Sequence, residues 1–487
     1  MISIWPPETG ILDLEPNWPD LGASEMESIR AIWKEQQERL KGTRQLAEFR
    51  EHLNREWAIE TGIIENLYDL DRGVTQTLIE RGFQAELIGH GATNKPRDHV
   101  IRLLEDQKDA LEGVFDFVTN RRTLSVSYIK ELHAALLRSQ THTDAVDPSG
   151  RGIEVLLERG AWKTQVNYPT RDGILYTYCP PEQVASEMDR LVALHLEHRE
   201  KGVPADVQAA WLHHRFSQIH PFQDGNGRVA RALASLVLIQ AGLFPLVVTR
   251  DGRTIYLDAL EKADQGDLKP LVAFFARLQR DQFRRATAIS ENLISATADV
   301  GQVLGGLLRA AERKQEIGEQ DLKTVFNHAR VLEDDIRRRL ETISPDVLKA
   351  LQRFTAAAEV SVRRSEEGTE HYYRSQIIET ARGLHYFANT SEYRAWVGLK
   401  MAWKRKASLV FSFHGIGRVF NGSLVCAPFL EFRDVDGEGQ TRSSIIPVAD
   451  EAFVFFRNET EEKALSRFQP WRERVLVVAL QELADNL

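Results

Sequence analysis

His220-Pro221-Phe222-Gln223-Asp224-Gly225-Asn226-Gly227-Arg228-Val229-Ala230-Arg231 decides the reading of this chain. Helical spacing leads into it from Ala205 to Ile219. An apolar helix leaves it, Val229 to Ala241, with Gly242 placed to cap the end. The turn between them sets glycines on both sides of Asn226, so successive backbone N–H groups can face one side and form an anion nest. That nest lies at a helix N-terminus, where the partial positive charge favours phosphate. Arg228 and Arg231 share one face of the first turn and can clamp phosphate oxygens. Asp224 is a hard oxygen donor suited to Mg²⁺ shared with phosphates. His220 titrates near neutrality and can take a proton from an attacking hydroxyl. A plain capping turn would explain any two of these features, but not the whole set behind His-Pro-Phe.

The remainder of the sequence narrows the class. Its 487 residues suggest about three domains. Hydrophobic residues at 43% supply cores and exclude wholesale disorder. The apolar run Ala232–Ile239 is too short to span a bilayer, and the first residues lack the pattern of a secretory signal. Cys179 and Cys426 cannot build a disulfide scaffold or a four-thiolate zinc site, and a reducing cytoplasm suits them. A net charge of −9 argues against nucleic acid as a partner.

Upstream, an extended arm of about twenty residues precedes a charged helical stretch, Ser24 to Glu60, and a second one, Asn66 to about Gly82. Gly89 to Pro96 is a loop that only superficially echoes a P-loop. Helices are predicted from about Pro96 to Thr119, from Ser125 (as cap) to Ser139, and from about Pro181 to His198. Asp144 to Gly150 reads as a polar loop. Asp172-Gly173 turns a hairpin over Thr164 to Tyr178. Downstream, helices continue from about Ile255 to Ala288, and Glu291 to Arg364 reads as a helical connector or antiparallel helix pair. From about His371 an α+β module begins. Its strands are expected at Ser408–Phe413, Leu424–Phe432, Ser443–Val448 and Phe453–Phe456, with a last helix from Trp471 to Leu483.

The stretch His220–Arg231 resembles the Fic motif, His-Pro-Phe-x-Asp/Glu-Gly-Asn-Gly-Arg-x-x-Arg, at every defined position. The resemblance covers roughly residues 50 to 285. It implies a mainly α fold: a Fic-type helical core with a small β-hairpin flap, followed here by the connector and the C-terminal module. The implied organisation is an N-terminal helical region at 1–95, a catalytic core at 96–288, a connector at 289–365 and the module at 366–487. The implied activity is transfer of AMP from ATP, with Mg²⁺, to a Ser, Thr or Tyr hydroxyl of a target protein, releasing pyrophosphate. By position, His220 corresponds to the general base and Asp224 to the Mg²⁺ ligand. Gly225, Asn226 and Gly227 correspond to the anion hole, Arg228 to the β-phosphate contact, Arg231 to the γ-phosphate contact and Phe222 to an anchor of the loop. Tyr256 has two readings, a platform for adenine or a packing tyrosine.

Thr61-Gly62-Ile63-Ile64-Glu65-Asn66 resembles the family's N-terminal inhibitory helix. There Glu65 would pair with Arg231 and occupy the γ-phosphate site, with Thr61 capping or anchoring a short helix. The hairpin Thr164–Tyr178 lies where the family places its target-docking flap, although Pro169 limits pairing. A homodimer is compatible with the resemblance. Two alternatives stay open: a transferase using another nucleotide or phosphate donor, and a non-catalytic regulatory or scaffold protein.

Overall fold

The computed structural model describes residues 2–6, 8–146, 152–166, 170–171, 174–289, 319–366, 368–417, 420–435 and 441–487. The chain divides into two compact units, Met1–Gln282 and Phe283–Leu487. The architecture is mainly α, with an antiparallel sheet in the second unit.

In the first unit strand β1 (Ile2–Ser3) precedes helices α1 (Met26–Arg39), α2 (Arg44–Ile64), α3 (Arg72–Arg81), α4 (Arg97–Thr119) and α5 (Val126–Leu136). Strands β2 (His142–Val146), β3 (Gly152–Leu156), β4 (Thr170–Arg171) and β5 (Ile174–Thr177) follow. Helices α6 (Pro181–Glu200), α7 (Ala205–Ile219), α8 (Asn226–Gln240) and α9 (Arg253–Asp264) follow, and the part of α10 (Lys269–Ile289) up to Gln282 completes it. Apart from its two arginines α8 carries no charge, and a helix apolar on all sides must be buried. It is accordingly the central rod, with every residue from Val229 to Ile239 buried. It ends in a Schellman turn: Gly242 at φ +77 donates to Ile239 O, and Leu243 to Leu238 O.

The expected helix over Ser24–Glu60 is broken at Gly42 (φ +76), and Thr43 caps the next helix through Leu46 N–H. The expected second run from Asn66 is also corrected. Asn66 is not the start of a helix but the left-handed residue (φ +54) that ends α2. Its N–H donates to Ile63 O and that of Leu67 to Gly62 O, so Asn66 takes the place glycine holds in most such turns. Thr61 therefore lies in the last turn of a long helix and caps no short one. Ser125 does cap α5, accepting from Tyr128 N–H. Asp144–Val146, read as loop, belongs to β2, which pairs with β3. Within the flap hairpin, Asn167, Tyr168, Pro169 and the Asp172-Gly173 turn lie outside the described residues.

The second unit contains α11 (Glu319–Leu351), β6 (Glu359–Arg364), α12 (Arg374–Gly383), β7 (Ala388–Ala402), β8 (Lys406–Ile416), β9 (Ser423–Val435), β10 (Thr441–Pro447), β11 (Phe453–Phe456) and α13 (Glu461–Asp485). The sheet order is β10-β9-β8-β7-β6, with β11 also on β9. Leu332, Ile336 and Leu340 of α11 and Phe468, Trp471 and Val475 of α13 share one core with Leu399, Phe411 and Phe413. Tyr373 and Ile377 pack with Trp396, Val410 and Phe429. Helices thus bury residues of both strand parities, which is why β8 and β9 read as near-continuous apolar runs. The described part of the expected connector is corrected: α11 and β6 are built into this unit's core. Residues 290–318 of that connector lie outside the described residues. Strands β6 and β7 were missing from the expectation because their charged residues mask the period of two. The last helix begins well before Trp471 and carries Pro470 inside it.

Candidate functional site

Helix α7 stops because His220 enters the left-handed region (φ +50, ψ +57), with its N–H on Phe216 O and a proline next. This turns the imidazole out of the helix. Its Nδ1 lies 3.3 Å from Ser217 O. A carbonyl only accepts, so Nδ1 carries the proton and Nε2 presents a lone pair. Burial, reinforced by the Lys163 charge, pushes the pKa down to about 3 against the opposing pull of Ser217 O and Asp224. The ring is therefore neutral at physiological pH. Tyr178 stacks on it at 4.0 Å between centroids.

The turn is stapled by Asn226. Its Oδ1 accepts from Phe222 N–H (2.9 Å) and its Nδ2 donates to Phe222 O (2.8 Å). Gly225 takes φ +78, and a Cβ there would meet Leu137 Cδ1 at 2.6 Å, so only glycine fits. Phe222 is fully buried and stacks on His133 at 3.7 Å. His133 accepts from Gly160 N–H at Nδ1 (2.8 Å), which leaves Nε2–H to donate to Asp224 O (3.1 Å). Burial lowers the His133 pKa to about 4, so this neutral tautomer persists.

Asp224 Oδ1 accepts from Gly225 N–H at 2.5 Å, and Oδ2 from Gln140 Nε2 (2.5 Å) and Thr143 Oγ1 (3.1 Å). Burial raises its pKa, but the Arg228 charge and these hydrogen bonds outweigh that and leave it below the usual carboxylate value. Arg228 Nη2 donates to Gln140 Oε1 at 2.9 Å and lies 3.5 Å from Asp224 Oδ2. Its Nε and Nη1, and Nε of Arg231, are buried with no hydrogen-bond partner among the described residues. Buried donors of this kind, beside a helix N-terminus, suit a polyphosphate.

Arg231 Nη1 donates to Glu65 Oε1 at 2.8 Å and Nη2 to Thr61 O at 3.2 Å. Burial alone would lower the Arg231 pKa, yet Glu65, joined by Tyr256, leaves it raised. A Cβ on Gly227 would lie 2.3 Å from Glu65 Oε1, so the carboxylate rests directly over the nest. Thr61 contributes its carbonyl to this contact, and Asn66 the turn that ends the helix at Glu65.

The structure brings His220, Asp224, Gly225, Asn226, Gly227, Arg228, Arg231, Glu65 and Thr61 to one place. Tyr256 is corrected to its packing reading: it is 3% exposed, edge-on to His213, with its hydroxyl 2.8 Å from His213 Nε2. It offers no open face for a base. His133, Gln140, Thr143, Lys163 and Tyr178 belong to the site although the sequence did not reveal them. Nothing in their local sequence marks them, and long-range packing alone delivers them. No group of three or more His, Cys, Asp and Glu able to hold a metal occurs among the described residues. Asp224 fits a divalent ion only as one donor beside phosphate oxygens.

Residues 123–238 match the Fic/DOC family. The "Protein adenylyltransferase Fic" of Aedes aegypti is 43% identical over 68 residues, 14% of each chain. That of Drosophila persimilis is 32% identical over 127 residues, 26% of this chain and 23% of the fly protein. The matched stretches thus span under a third of those relatives. Among solved structures, a Fic domain containing signaling protein from Bacteroides thetaiotaomicron is 23% identical, covers 55% of this chain and all of its own, and has a TM-score of 0.44. No described helix is long and apolar enough to cross a membrane.

Proposed function

We propose, for a chain that carries a Fic/DOC domain, that it is an autoinhibited protein adenylyltransferase using ATP and Mg²⁺. The observation that carries this reading is the convergence of a neutral imidazole lone pair, an anion nest and two buried arginines on one helix start. His220 Nε2 takes the proton from an acceptor hydroxyl. The oxygen forms a bond to the α-phosphorus as the bond to the bridging oxygen breaks, and pyrophosphate leaves. Arg228, Arg231 and the nest N–H groups hold the phosphates and offset the charge that develops on the leaving group. Mg²⁺, with Asp224 as its protein ligand, would add charge neutralisation of the phosphates.

The Glu65 contact supports the autoinhibited form: its carboxylate holds Arg231 and rests over Gly227, so a γ-phosphate has to compete for both. The buried free thiols Cys179 and Cys426 suit the cytoplasm as the site of action.

Labelling with radioactive ATP tests the reading. Glu65→Gly is expected to raise transfer roughly ten-fold or more, the scale on which a buried charge pair competes with a ligand. Adding His220→Ala should remove the signal. Equal labelling by wild type and Glu65→Gly would eliminate the brake. Labelling from another donor alone in a nucleotide panel would replace ATP as the substrate.

A further inference from the structure

The proposed transfer needs an acceptor hydroxyl beside His220, and β5 is the strand that runs up to it. Tyr178, the residue after β5, stacks on the His220 ring. On one edge of β5, strand β4 pairs at Ile174 and Leu175 among the described residues. The opposite edge is occupied at its His220-proximal end. Residues Ile2 and Ser3 pair in parallel with Tyr176 and Thr177, and Ile4 N–H donates to Thr177 O at 3.0 Å.

The root of this arm is fixed to α6 and α7. Trp5 is 4% exposed and its Nε1 donates to Gln183 Oε1. Ile11 is buried, with its N–H on Glu187 Oε2 at 2.9 Å. Arg190 donates to Thr9 O, while Trp211 and Arg215 both donate to Leu12 O. Residues 2–4 therefore form a short strand beside a firm anchor. Two registered residues hold it to the edge, so it can peel away while Trp5 stays in place.

We infer that residues 2–4 are a tethered competitor for the acceptor. They occupy the His220-proximal edge of β5, and an extended hydroxyl-bearing segment of the target protein displaces them by adding as a strand. This rests on the transfer reading above. Residues 2–4 compete from within the same chain, next to the anchored Trp5, so the competition is intramolecular, at an effective concentration of order millimolar. A segment that offers only weak strand pairing is excluded, and one with further contacts to the enzyme is admitted. The arm is in this way a selectivity filter, separate from the Glu65 contact, which acts on the nucleotide.

The full-length Glu65→Gly protein is compared with and without Ile4→Pro, which removes the N–H given to Thr177 O but leaves Trp5. Hydrogen exchange of the backbone amides of 174–178 and transfer to dephosphorylated casein are measured. Exchange should accelerate, and KM for casein should fall by about three-fold or more as an effective millimolar competitor is lost. KM for ATP and the rate at saturating casein should not change. A peptide with the sequence of residues 1–6, added to a variant lacking residues 2–4, should restore protection and compete with casein. Unaltered exchange, or faster exchange with an unaltered KM for casein, overturns the proposal while leaving transfer intact. Absence of transfer in both Glu65→Gly proteins overturns the enzyme reading itself, and the competitor role with it.

Discussion

Buried arginines serve opposite ends in the two units. In the second unit buried Arg472 meets Asp335 and Glu473, and half-buried Arg467 makes paired bonds to Glu459 (2.8 Å each) with a further one to Val454 O. Each charge there is matched by carboxylates of its own unit. In the first unit Arg228 has a neutral amide and a carboxylate at 3.5 Å, and Arg231 one carboxylate, a carbonyl and the nearby Tyr256 hydroxyl. Both retain buried N–H donors with no hydrogen-bond partner among the described residues. The second unit uses arginine to close a fold. In the first, these two arginines leave donors open at the start of α8, an arrangement that the proposed phosphate contacts would use.

The largest test of that contrast is His220→Ala, with transfer expected to fall by about a thousand-fold, within the range that a general base supplies. Binding of ATP, followed by fluorescence or calorimetry, should persist, since the imidazole is not a phosphate contact. Loss of binding would place His220 in the receptor instead.

Next come the arginines themselves. Arg472→Met strands a buried Asp335 and should cost about 3 kcal/mol or more, read as a lower denaturation midpoint of the second unit. Arg231→Met should remove transfer yet cost far less stability, because Glu65 is 22% exposed and can rehydrate. Equal destabilisation by both would erase the distinction.

A pH titration separates the units further. Burial pushes His195 down to about 3 and His213 well below its usual value. A histidine with a depressed folded pKa favours the native state fully above the unfolded value near 6.5. That contribution is lost as pH falls from there toward the folded value, by about 1.4 kcal/mol per group for each pH unit. His133 and His220 add to the first unit's loss, whereas among the described residues the second has His414 alone with a resolved depression. Calorimetry of the whole protein should therefore show the first unit's transition falling faster between pH 7 and 5.5. Parallel shifts of both transitions would contradict these burial effects.

The smallest effect belongs to Thr61→Val. The contact to Arg231 uses the Thr61 carbonyl, so labelling should change by less than about two-fold, within the spread of ordinary surface-scale substitutions. A jump approaching that of Glu65→Gly would give the hydroxyl a role in the brake.

The turn at 220–231 was legible in the sequence because its causes are local. Positive-φ glycines, a proline after a helix end and N–H groups at a helix start need no distant partner. The same holds for the cap at Ser125 and the stop at Gly242, while Asn66 shows its limit. A left-handed asparagine closes one helix as readily as polar residues open the next, and only the hydrogen bonds at Ile63 and Gly62 decide which. Tyr256 kept two readings for a related reason: an aromatic at helical spacing does not say which face the helix buries.

What the sequence by itself determined is the local form of one turn, the apolar rod behind it and the near-continuous apolar runs of β8 and β9. The tertiary structure alone decided that Gln140 bridges Asp224 and Arg228, that His133 supports Asp224 O, and that Tyr178 covers His220. It alone placed residues 2–4 on β5. The physical reason is range: dihedral preferences and helix dipoles act within a few residues. Burial of apolar surface, which is non-directional, brings together side chains that no local pattern connects.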